Sequence, residues 1–402
     1  MGLNENPMPL TLLLDLDDTL IDTNLDTFVP AYFQAFGQHL AGRIEPEVML
    51  RALISGTNLM NESEDPTQTL EEVFDSRFYP KLGIAKQDLI EVIEDFYDNI
   101  FPTLAAHTNE RSEAVALIDW ALVRGFRVAI ATDPLLPRKA TYHRVRWAGI
   151  DPDNVELIST FEHFHFSKTH PAYYAEVLGL LGWPEGPILM VGNDLDRDLA
   201  PAHRLGLATY FINGESASSP GYEAGRGKLA DLRPWLESIN LAAFEPSFKS
   251  KDAIMAIMTS TPAVLRSLTS SLTDHAWRHG PTPEDWAMNQ IICHLRDTER
   301  EIHQLQLKLL LEREGAFIPR PDTGIWANER EYLNAEGAIA LAEFASERIE
   351  ILQILKSLDE DMWSRKARHA IFGPTNFLEV LGFVADHDRL HIQQAWKTLH
   401  SI

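Results

Sequence analysis

Four short apolar runs, each ending in polar residues, limit the folds that are open to the first half of this chain. They are TLLLDL at 11–16, RVAIATD at 127–133, VELIST at 155–160 and PILMVGND at 187–194. Uninterrupted apolar runs of this length are typical of strands buried on both faces of a parallel sheet. Because stretches with helical periodicity separate the runs, we predict an α/β fold with a doubly wound parallel sheet. Ligands of such sheets bind beyond the carboxyl ends of the strands, where the polar residues lie.

A long insertion separates the first two runs. Roughly ninety residues there have helical periodicity, which is far more than one crossover helix requires. We therefore predict a helical cap over about 22–112, inserted into a core formed by 9–21 and 113–245. The whole domain, 1–245, is expected to end after the Gly- and Ser-rich run GESASSPGYEAGRGK.

Strand signals stop near residue 250, and long amphipathic stretches follow. They are DAIMAIMTSTPAVLRSLTSSL, EDWAMNQIICHLRDTEREIHQLQLKLLLE, AIALAEFASERIEILQILKSL and NFLEVLGFVADHDRLHIQQAWKTL. Helices of that length predict a C-terminal all-α four-helix bundle over 250–402.

Composition excludes several classes of protein. Hydrophobic residues make up 45% of the chain and charged residues 23%, which is typical of a folded globular protein. The net charge of −24 repels phosphodiester backbones and anionic lipids, so we expect no nucleic acid and no membrane among the partners. The single cysteine, Cys293, cannot form an internal disulfide, and MGLNEN at the start resembles neither a secretory signal nor a lipid anchor. A cytoplasmic location is therefore expected.

Two aspartates, Asp15 and Asp17, follow the first predicted strand in DLDDTL. Near a metal ion, carboxylates at this spacing can divide the roles of nucleophile and acid/base. A solvated turn after a strand also often carries aspartate, so the motif alone has a plain structural interpretation.

Three further elements at strand ends favour the catalytic interpretation. Thr132 offers a hydroxyl to a phosphoryl oxygen, and Lys168 in FSKTHPAYY can neutralise negative charge on a transferred group. VGNDLDRDLAPA supplies oxygen ligands suited to Mg²⁺ from Asn193, Asp194 and Asp198. Acidic residues in the first turn of a helix also occur because they interact favourably with the helix dipole.

In this order, the four elements resemble the motifs of the haloacid dehalogenase-like (HAD) hydrolase superfamily over about 9–245. The resemblance implies a Rossmann-like fold with a helical type-one cap, which closes over the site and favours small substrates. It implies that Asp15 becomes an aspartyl phosphate and that Asp17 protonates the leaving group and then activates water. Thr132 and Lys168 would bind the phosphoryl group. An aspartate at position 17 is similar to the phosphatase and phosphomutase members and disfavours carbon–halogen chemistry.

The resemblance also implies a magnesium site, and here the sequence departs from the family pattern. Mg²⁺ would be held by the Asp15 carboxylate, the Asp17 backbone carbonyl and an acidic residue of the fourth motif. Asn193 stands at the first acidic position of that motif. Either Asn193 binds Mg²⁺ as a neutral ligand, or Asp194 and Asp198 form a closer-spaced variant. We favour Asp194.

A second group of candidate ligands lies in the predicted bundle. His387 and His391 in ADHDRLHIQQ are four residues apart and so share one face of the last helix. His294 in the second helix can complete a set of three ligands for Zn²⁺ or Ni²⁺, with an open position for water. Packing histidines are the alternative interpretation. Cys293 points about 100° away from His294 and is expected to be inert, and His303 is expected to face elsewhere.

With PTPEDWAMNQIICHLRDTE before the first histidine and HDRLH near the end, this arrangement resembles the DinB-like (YfiT-like) metal-binding four-helix bundles. The resemblance covers about 250–402 and implies that His294, His387 and His391 form the metal triad. Members include S-transferases and isomerases that use a bound metal to activate a low-molecular-weight thiol. Such bundles often pair through helix faces, so a homodimer is one of the states open to this chain, and the sequence does not choose among them.

The leading prediction is a Mg²⁺-dependent phosphohydrolase for a small phosphorylated metabolite, with an auxiliary metal-binding bundle. One alternative is metal-dependent thiol transfer by the bundle, with a weak or regulatory HAD domain. The other is a phosphomutase. His163 and His165 in FEHFHF precede the lysine motif and are expected to be ordinary loop or surface histidines.

Overall fold

The computed structural model of the protein describes residues 9–212 and 221–401. The chain divides into two compact units, Met1–Val177 with Pro184–Ser247 and Leu178–Trp183 with Phe248–Ile402. The N-terminal MGLNEN segment and the first part of the Gly- and Ser-rich run lie outside the described residues. No helix in the described ranges is both long enough and apolar enough to cross a membrane.

The first unit is organised around a parallel sheet. Its strands are β1 (Thr11–Leu14), β2 (Ile21–Thr23), β3 (Thr108–Glu110), β4 (Arg127–Ile130), β5 (Leu157–Ile158), β6 (Ile188–Gly192), β7 (Ala208–Ile212) and β8 (Gly225–Gly227). Within the described residues, six of them form one sheet in the order β5-β4-β1-β6-β7-β8, with every neighbouring pair parallel. The central strand is buried on both faces, which is why it is apolar throughout. The structure thus confirms the predicted doubly wound fold.

The edge strand β8 was not predicted. It forms inside the Gly- and Ser-rich run. Glycine is required at position 225 because a Cβ there would lie 2.3 Å from the Trp235 ring. Glycine there lets the backbone of β8 lie close to neighbouring side chains while it pairs with β7.

Helices complete the first unit. They are α1 (Leu25–Leu40), α2 (Pro46–Glu62), α3 (Leu70–Leu82), α4 (Lys86–Asp95), α5 (Ser112–Val123), α6 (Arg138–Trp147), α7 (Pro171–Leu180), α8 (Ala200–Leu205) and α9 (Leu229–Ser238). The helices α1 to α4 lie between β2 and β3, which pair antiparallel. They enclose an aromatic core that includes Phe28, Tyr32, Phe36 and Phe96. This is the predicted helical cap, and the two-stranded ribbon of β2 and β3 connects it to the rest of the first unit.

The second unit is a helical bundle with a small sheet. Its helices are α10 (Lys251–Thr269), α11 (Asp274–Arg278), α12 (Met288–Thr298), α13 (Gln304–Glu312), α14 (Trp326–Glu329), α15 (Gly337–Lys356), α16 (Glu360–Trp363) and α17 (Phe377–His400). A π-helical turn, Glu299–His303, joins α12 to α13 without a break. The long helix so formed packs with α10, α15 and α17 as the predicted four-helix bundle.

The expectation that strands stop near residue 250 was wrong. The strands β9 (Ala316–Ile318), β10 (Lys366–His369) and β11 (Gly373–Asn376) form a sheet in the order β11-β10-β9. The pair β10 and β11 is antiparallel, and Gly373, with a φ of 77°, begins β11 after the turn. These strands have three or four residues each and no sustained apolar alternation, so sequence periodicity could not reveal them.

Candidate active site and metal centre

The loop after β1 places the two motif aspartates at the carboxyl edge of the sheet. Asp15 is 6% exposed, and its backbone N–H donates to the Val191 carbonyl of β6 at 2.9 Å. The loop then turns back sharply, with Asp18 in the left-handed region at a φ of 54°. This turn lets the Leu16 carbonyl accept the N–H groups of Leu20 and Ile21. Asp15 is therefore held on the sheet, whereas Asp17 lies in a partly open turn.

Lys168 joins two carboxylates beneath this edge. Its Nζ lies 2.6 Å from Asp15 Oδ1 and also pairs with Asp198, and both partners are buried. Burial alone favours the neutral amine, but the charges of Asp15 and Asp198 outweigh that effect and hold the pKa of Lys168 well above its ordinary value. The lysine is therefore charged at neutral pH and sits where it can neutralise a transferred anionic group.

The fourth motif folds around Asp198. Asp198 Oδ2 accepts the backbone N–H groups of Asn193 at 3.0 Å and Asp194 at 2.9 Å. Position 192 must be glycine for this contact, because a Cβ there would lie 2.3 Å from the same oxygen. Asp198 thus serves as the scaffold of the loop as well as a partner of Lys168.

Asn193, rather than Asp194, faces the motif aspartates. In the amide orientation that satisfies its neighbours, Asn193 Nδ2 lies 3.0 Å from the Asp17 carbonyl oxygen and 3.2 Å from Asp15 Oδ2. Asp194 instead turns its Oδ1 to the backbone N–H groups of Asp196 at 2.8 Å and Arg197 at 3.1 Å. It caps the next helical turn, so the geometry does not favour our preference for Asp194 as the magnesium ligand.

Thr132 lies two residues beyond β4 and is buried. Its carbonyl oxygen accepts the Tyr173 hydroxyl at 2.8 Å and the Ser159 hydroxyl at 2.5 Å, which fixes the strand end. The next residue, Asp133, was missed by the sequence analysis. Asp133 Oδ1 accepts the backbone N–H of Lys168 at 3.2 Å and so connects the second and third motifs.

Arg144, on α6, is a second residue that the sequence analysis missed. Its buried guanidinium forms an ion pair with Asp17. The Thr23 hydroxyl donates to the same Asp17 oxygen at 2.8 Å. Burial lowers the pKa of Arg144 to about 10, so it remains charged at neutral pH. A signal existed, because Arg144 falls at helical spacing between Ala140 and Ala148 on the buried face of α6.

The histidines before Lys168 do not behave alike. His165 lies in a loop, as the prediction allowed, but it is fully buried, and its Nδ1 lies 2.7 Å from Glu176 Oε1. His163 is exposed, in agreement with the prediction. Neither lies among the residues that meet at Asp15.

The second unit brings together the three predicted histidine ligands. One ring nitrogen from each of His294, His387 and His391 lies within 4.8 Å of the others. The Nε2 atoms of His294 and His387 are 3.2 Å apart. Two ligands of one tetrahedral Zn²⁺ ion stand about 3.3 Å apart when each bond is about 2.05 Å, so the pair has the spacing that such an ion requires.

The histidines of this triad are neutral. Burial and the neighbouring histidines lower the pKa of His294 to about 3, and burial also lowers the pKa values of His387 and His391. His391 Nδ1 is bonded to Gln394 Oε1 at 2.9 Å, which leaves its Nε2 for a ligand. The Nδ1 atoms of the other two have no partner among the described residues, so only His391 has the outer bond that usually orients a metal-bound imidazole.

His303 does not face elsewhere, as we had expected. Its ring meets the His387 ring edge-on, with the ring centres 5.6 Å apart. The π-helical turn Glu299–His303 contains one extra residue, which rotates His303 towards the triad. Cys293, by contrast, lies outside the triad, and burial raises its pKa to about 11, in keeping with an inert thiol.

A buried ion network supports His303. Glu299 Oε2 lies 2.8 Å from His303 Nδ1, and Glu299 also accepts two hydrogen bonds from Arg348, at 2.5 and 2.8 Å. Arg348 is 0% exposed and pairs with Asp388 as well. Thr261 completes the network by donating to Asp388 Oδ2 at 2.9 Å. The network satisfies each buried charge and crosses several helices of the bundle.

Comparisons with known families divide the chain in the same way. Residues 10–206 match the family model described as haloacid dehalogenase-like hydrolase, and residues 257–395 match that of the DinB superfamily. No curated protein sequence matches the chain.

Solved structures resemble one part of the chain each. A HAD phosphatase from Thermococcus onnurineus is 16% identical, covers 56% of this chain and 97% of its own, and has a TM-score of 0.39. A 2-haloacid dehalogenase from Pseudomonas syringae pv. Tomato DC3000 is 18% identical, covers 57% of this chain and 98% of its own, and has a TM-score of 0.42. YfiT from Bacillus subtilis, which has an unusual four-helix bundle topology, is 22% identical, covers 37% of this chain and 87% of its own, and has a TM-score of 0.32.

Proposed function

Because residues 10–206 are a haloacid dehalogenase-like hydrolase region and residues 257–395 a DinB superfamily region, we propose that the first is a Mg²⁺-dependent phosphohydrolase acting on a small phosphomonoester. The observation that carries the proposal is the environment of Asp15. This buried carboxylate has Lys168 at 2.6 Å on one oxygen and Asn193 at 3.2 Å on the other. The charged lysine can attract an anionic substrate, and the carboxylate beside it can act as the nucleophile.

The residues present fit a magnesium ion. Asp15 Oδ2, the Asp17 carbonyl oxygen and the Asn193 amide converge at one point of the sheet edge. Carboxylate, carbonyl and amide oxygens are ligands that Mg²⁺ accepts, and the Asn193 amide needs only to turn its oxygen inward. Bound there, Mg²⁺ would neutralise charge on the substrate's phosphoryl oxygens.

The side chains of the site can carry out a two-step hydrolysis. In the first step Asp15 attacks phosphorus, the bond to the leaving oxygen breaks, and Asp17, which enters this step protonated, gives that oxygen its proton. In the second step Asp17 takes a proton from water, which attacks phosphorus and releases phosphate from Asp15. Lys168 stabilises the charge of the transferred group, and Arg144 and Thr23 hold the Asp17 carboxylate in place.

The test is phosphate release from a panel of phosphomonoesters by the full-length protein, with and without Mg²⁺. Asp15→Asn should abolish Mg²⁺-dependent release. Asp22→Asn makes the same change in a nearby exposed carboxylate and should retain it. Release that survives in Asp15→Asn would refute the proposal, whereas transfer of the phosphoryl group to a second hydroxyl would indicate a phosphomutase instead.

A second proposed function concerns the histidine triad. The spacing of His294 and His387 favours a bound transition metal, Zn²⁺ or Ni²⁺, with His391 as the third ligand. When bound, such an ion lowers the pKa of a coordinated thiol, so the bundle can serve in the transfer of a low-molecular-weight thiol.

Metal analysis of the full chain tests the metal part of this proposal. We expect about one equivalent of Zn²⁺ or Ni²⁺ in the wild type and nearly none in His387→Ala. His400→Ala removes an exposed histidine from the same helix and should leave the content unchanged. Equal metal content in all three proteins would contradict a triad site.

A further inference from the structure

A cavity in the first unit opens on Asp17, and we infer that it binds an apolar, aromatic or branched aliphatic leaving group of the phosphomonoester. The inference rests on the proposed phosphohydrolase function. A general acid must lie beside the oxygen that it protonates, so the space next to Asp17 is where the leaving alcohol has to sit. That space is a cavity of about 300 Å³, lined by the cap and by Asp17 and Arg144.

The wall of the cavity is mainly aromatic. Phe28, Phe33, Phe36, Phe74, Phe78 and Phe161 all line it. The Phe74 and Phe78 rings stack with their centres 4.8 Å apart, and the centres of the Phe74 and Phe161 rings are 6.3 Å apart. Such a surface gains free energy when an apolar group displaces water from it, and aromatic groups can also stack on it.

Polar side chains in the wall are mostly engaged with one another. The Tyr32 and Tyr97 hydroxyls are bonded at 3.0 Å. Lys86 Nζ lies 2.7 Å from Glu71 and 2.6 Å from Asp75. Because these groups already have partners, they offer little to the hydroxyls of a sugar, which would lose water without a replacement hydrogen bond.

Further wall groups follow the same rule in part. Glu162 Oε2 and Arg144 Nε have no partner among the described residues, but both atoms are buried and offer little accessible surface to a ligand. The Thr57 hydroxyl donates to the Leu53 carbonyl at 3.0 Å, and Glu162 Oε1 accepts the Arg138 backbone N–H at 2.7 Å. The Tyr79 hydroxyl has no partner among the described residues and is able to bond one polar substituent. The cavity therefore suits a largely apolar alcohol with at most a small polar substituent on that side.

The side of the cavity formed by α1 leaves apolar side chains exposed. Leu25 is 48% exposed and Val29 is 37% exposed, and both line the cavity. They lie one helical turn apart and so share a face of the helix. An exposed apolar pair within an aromatic cavity is covered when an apolar ligand binds, which supports the same class of leaving group.

Substrates that share the same kind of phosphoester bond test the inference. We would compare kcat/KM for 3-phenylpropyl phosphate with that for glucose 6-phosphate and glycerol 3-phosphate, since all three are esters of primary alcohols. Acetyl phosphate, which is too small to fill the cavity, reports the chemistry of Asp15. We expect the phenylpropyl ester to exceed both polar esters in kcat/KM by at least tenfold.

Variants of the cavity wall provide the second part of the test. Val29→Trp and Leu25→Trp each fill the cavity from α1, so each should lower the ratio of kcat/KM for 3-phenylpropyl phosphate to that for acetyl phosphate by at least tenfold. Val123→Trp adds the same side chain at an 87% exposed position of α5 and should leave that ratio unchanged.

The outcomes separate the two proposals. If acetyl phosphate is hydrolysed but the polar esters equal or exceed the phenylpropyl ester, the leaving-group inference is wrong and the phosphohydrolase stands. The same conclusion follows if neither wall variant changes the ratio. If the folded wild type releases phosphate from none of the four compounds with Mg²⁺ present, both proposals are wrong.

Discussion

The two candidate sites differ in how burial and neighbouring charges act on their central basic groups. In the first unit a charged lysine, Lys168, lies buried between Asp15 and Asp198, and the pKa of Lys168 is held well above its ordinary value. In the second unit the candidate ligands are neutral imidazoles, and burial beside one another keeps protons off them. The ion network of Glu299, Arg348 and Asp388 lies nearby.

This difference follows from what each site has to bind. Transfer of a phosphoryl group requires fixed positive charge near a nucleophilic carboxylate. A buried lysine and carboxylate tolerate loss of water because each is the partner of the other. A transition metal requires the lone pairs of unprotonated nitrogens, which a low pKa supplies. Loss of one group should therefore leave an unpaired charge in the first site but only a missing ligand in the second.

The largest effect is expected for Lys168→Met. It removes the partner of two buried carboxylates, so kcat/KM for phosphate release should fall about 10³-fold and the free energy of unfolding by about 3 kcal/mol. Urea unfolding and initial rates measure the two effects. Lys139→Met also removes a lysine with two carboxylate partners, but at an exposed site, and should cost less than about 1 kcal/mol. Equal losses of stability would contradict the role of burial.

Arg144→Met should have the next largest effect. Without the guanidinium, the Asp17 carboxylate loses one of the two groups that hold it, so kcat should fall about 10- to 100-fold with a smaller change in KM. Arg144→Lys keeps the charge and should recover part of the loss. An unchanged kcat in Arg144→Met, measured at saturating substrate, would show that Asp17 needs no such support.

Acid should destabilise the triad. The pKa of His294 is lower in the folded protein than the ordinary value near 6.5, so its stabilising effect is complete above that pH and is lost as the pH falls towards 3. At pH 5 the loss amounts to about 2 kcal/mol relative to pH 7 for this one group. Urea unfolding of the metal-free chain at both pH values measures it.

A matched pair of variants identifies the source of this acid sensitivity. His294→Phe should show a smaller difference between pH 7 and pH 5, whereas His400→Phe, in an exposed position, should match the wild type. If His294→Phe keeps the full difference, another group is responsible.

The smallest expected effect concerns Asn193. Asn193→Asp adds a charge next to Asp15 and the Asp17 carbonyl, so the Mg²⁺ concentration for half-maximal activity should fall by about tenfold. Asp194→Asn should leave that concentration within about twofold, since its carboxylate accepts backbone N–H groups instead. The reverse pattern would return the magnesium role to Asp194.

The residues that lie together at the strand ends could be predicted from the sequence. Asp15, Lys168 and Asp198 are far apart in the chain, yet the carboxyl ends of parallel strands meet at one edge, so their meeting could be predicted. Which of Asn193 and Asp194 faces Asp15 could not be predicted, because it depends on the turn whose backbone N–H groups Asp198 accepts.

Two further residues were not predicted, for different reasons. At about 100° per residue, His303 falls opposite His294, and only the π-helical turn brings it to the triad. Arg144 was overlooked because a charged residue among the many of α6 resembles a solvated face, although its spacing with Ala140 and Ala148 places it inside. The position of His303 therefore depends on a local backbone feature that the sequence pattern does not reveal, whereas that of Arg144 could have been found from its spacing.

The most direct test of the account is to trap the phosphoenzyme. The full-length protein would be mixed with acetyl phosphate and Mg²⁺, quenched in acid within a turnover and digested for peptide mass spectrometry. We predict a phosphoryl group on Asp15 in the wild type and in His387→Ala, and none in Asp15→Asn. Rapid phosphate release with no phosphorylated Asp15 peptide would contradict the Asp15 mechanism. Phosphorylation that disappears in His387→Ala would contradict the assignment of the phosphoryl chemistry to the first unit alone.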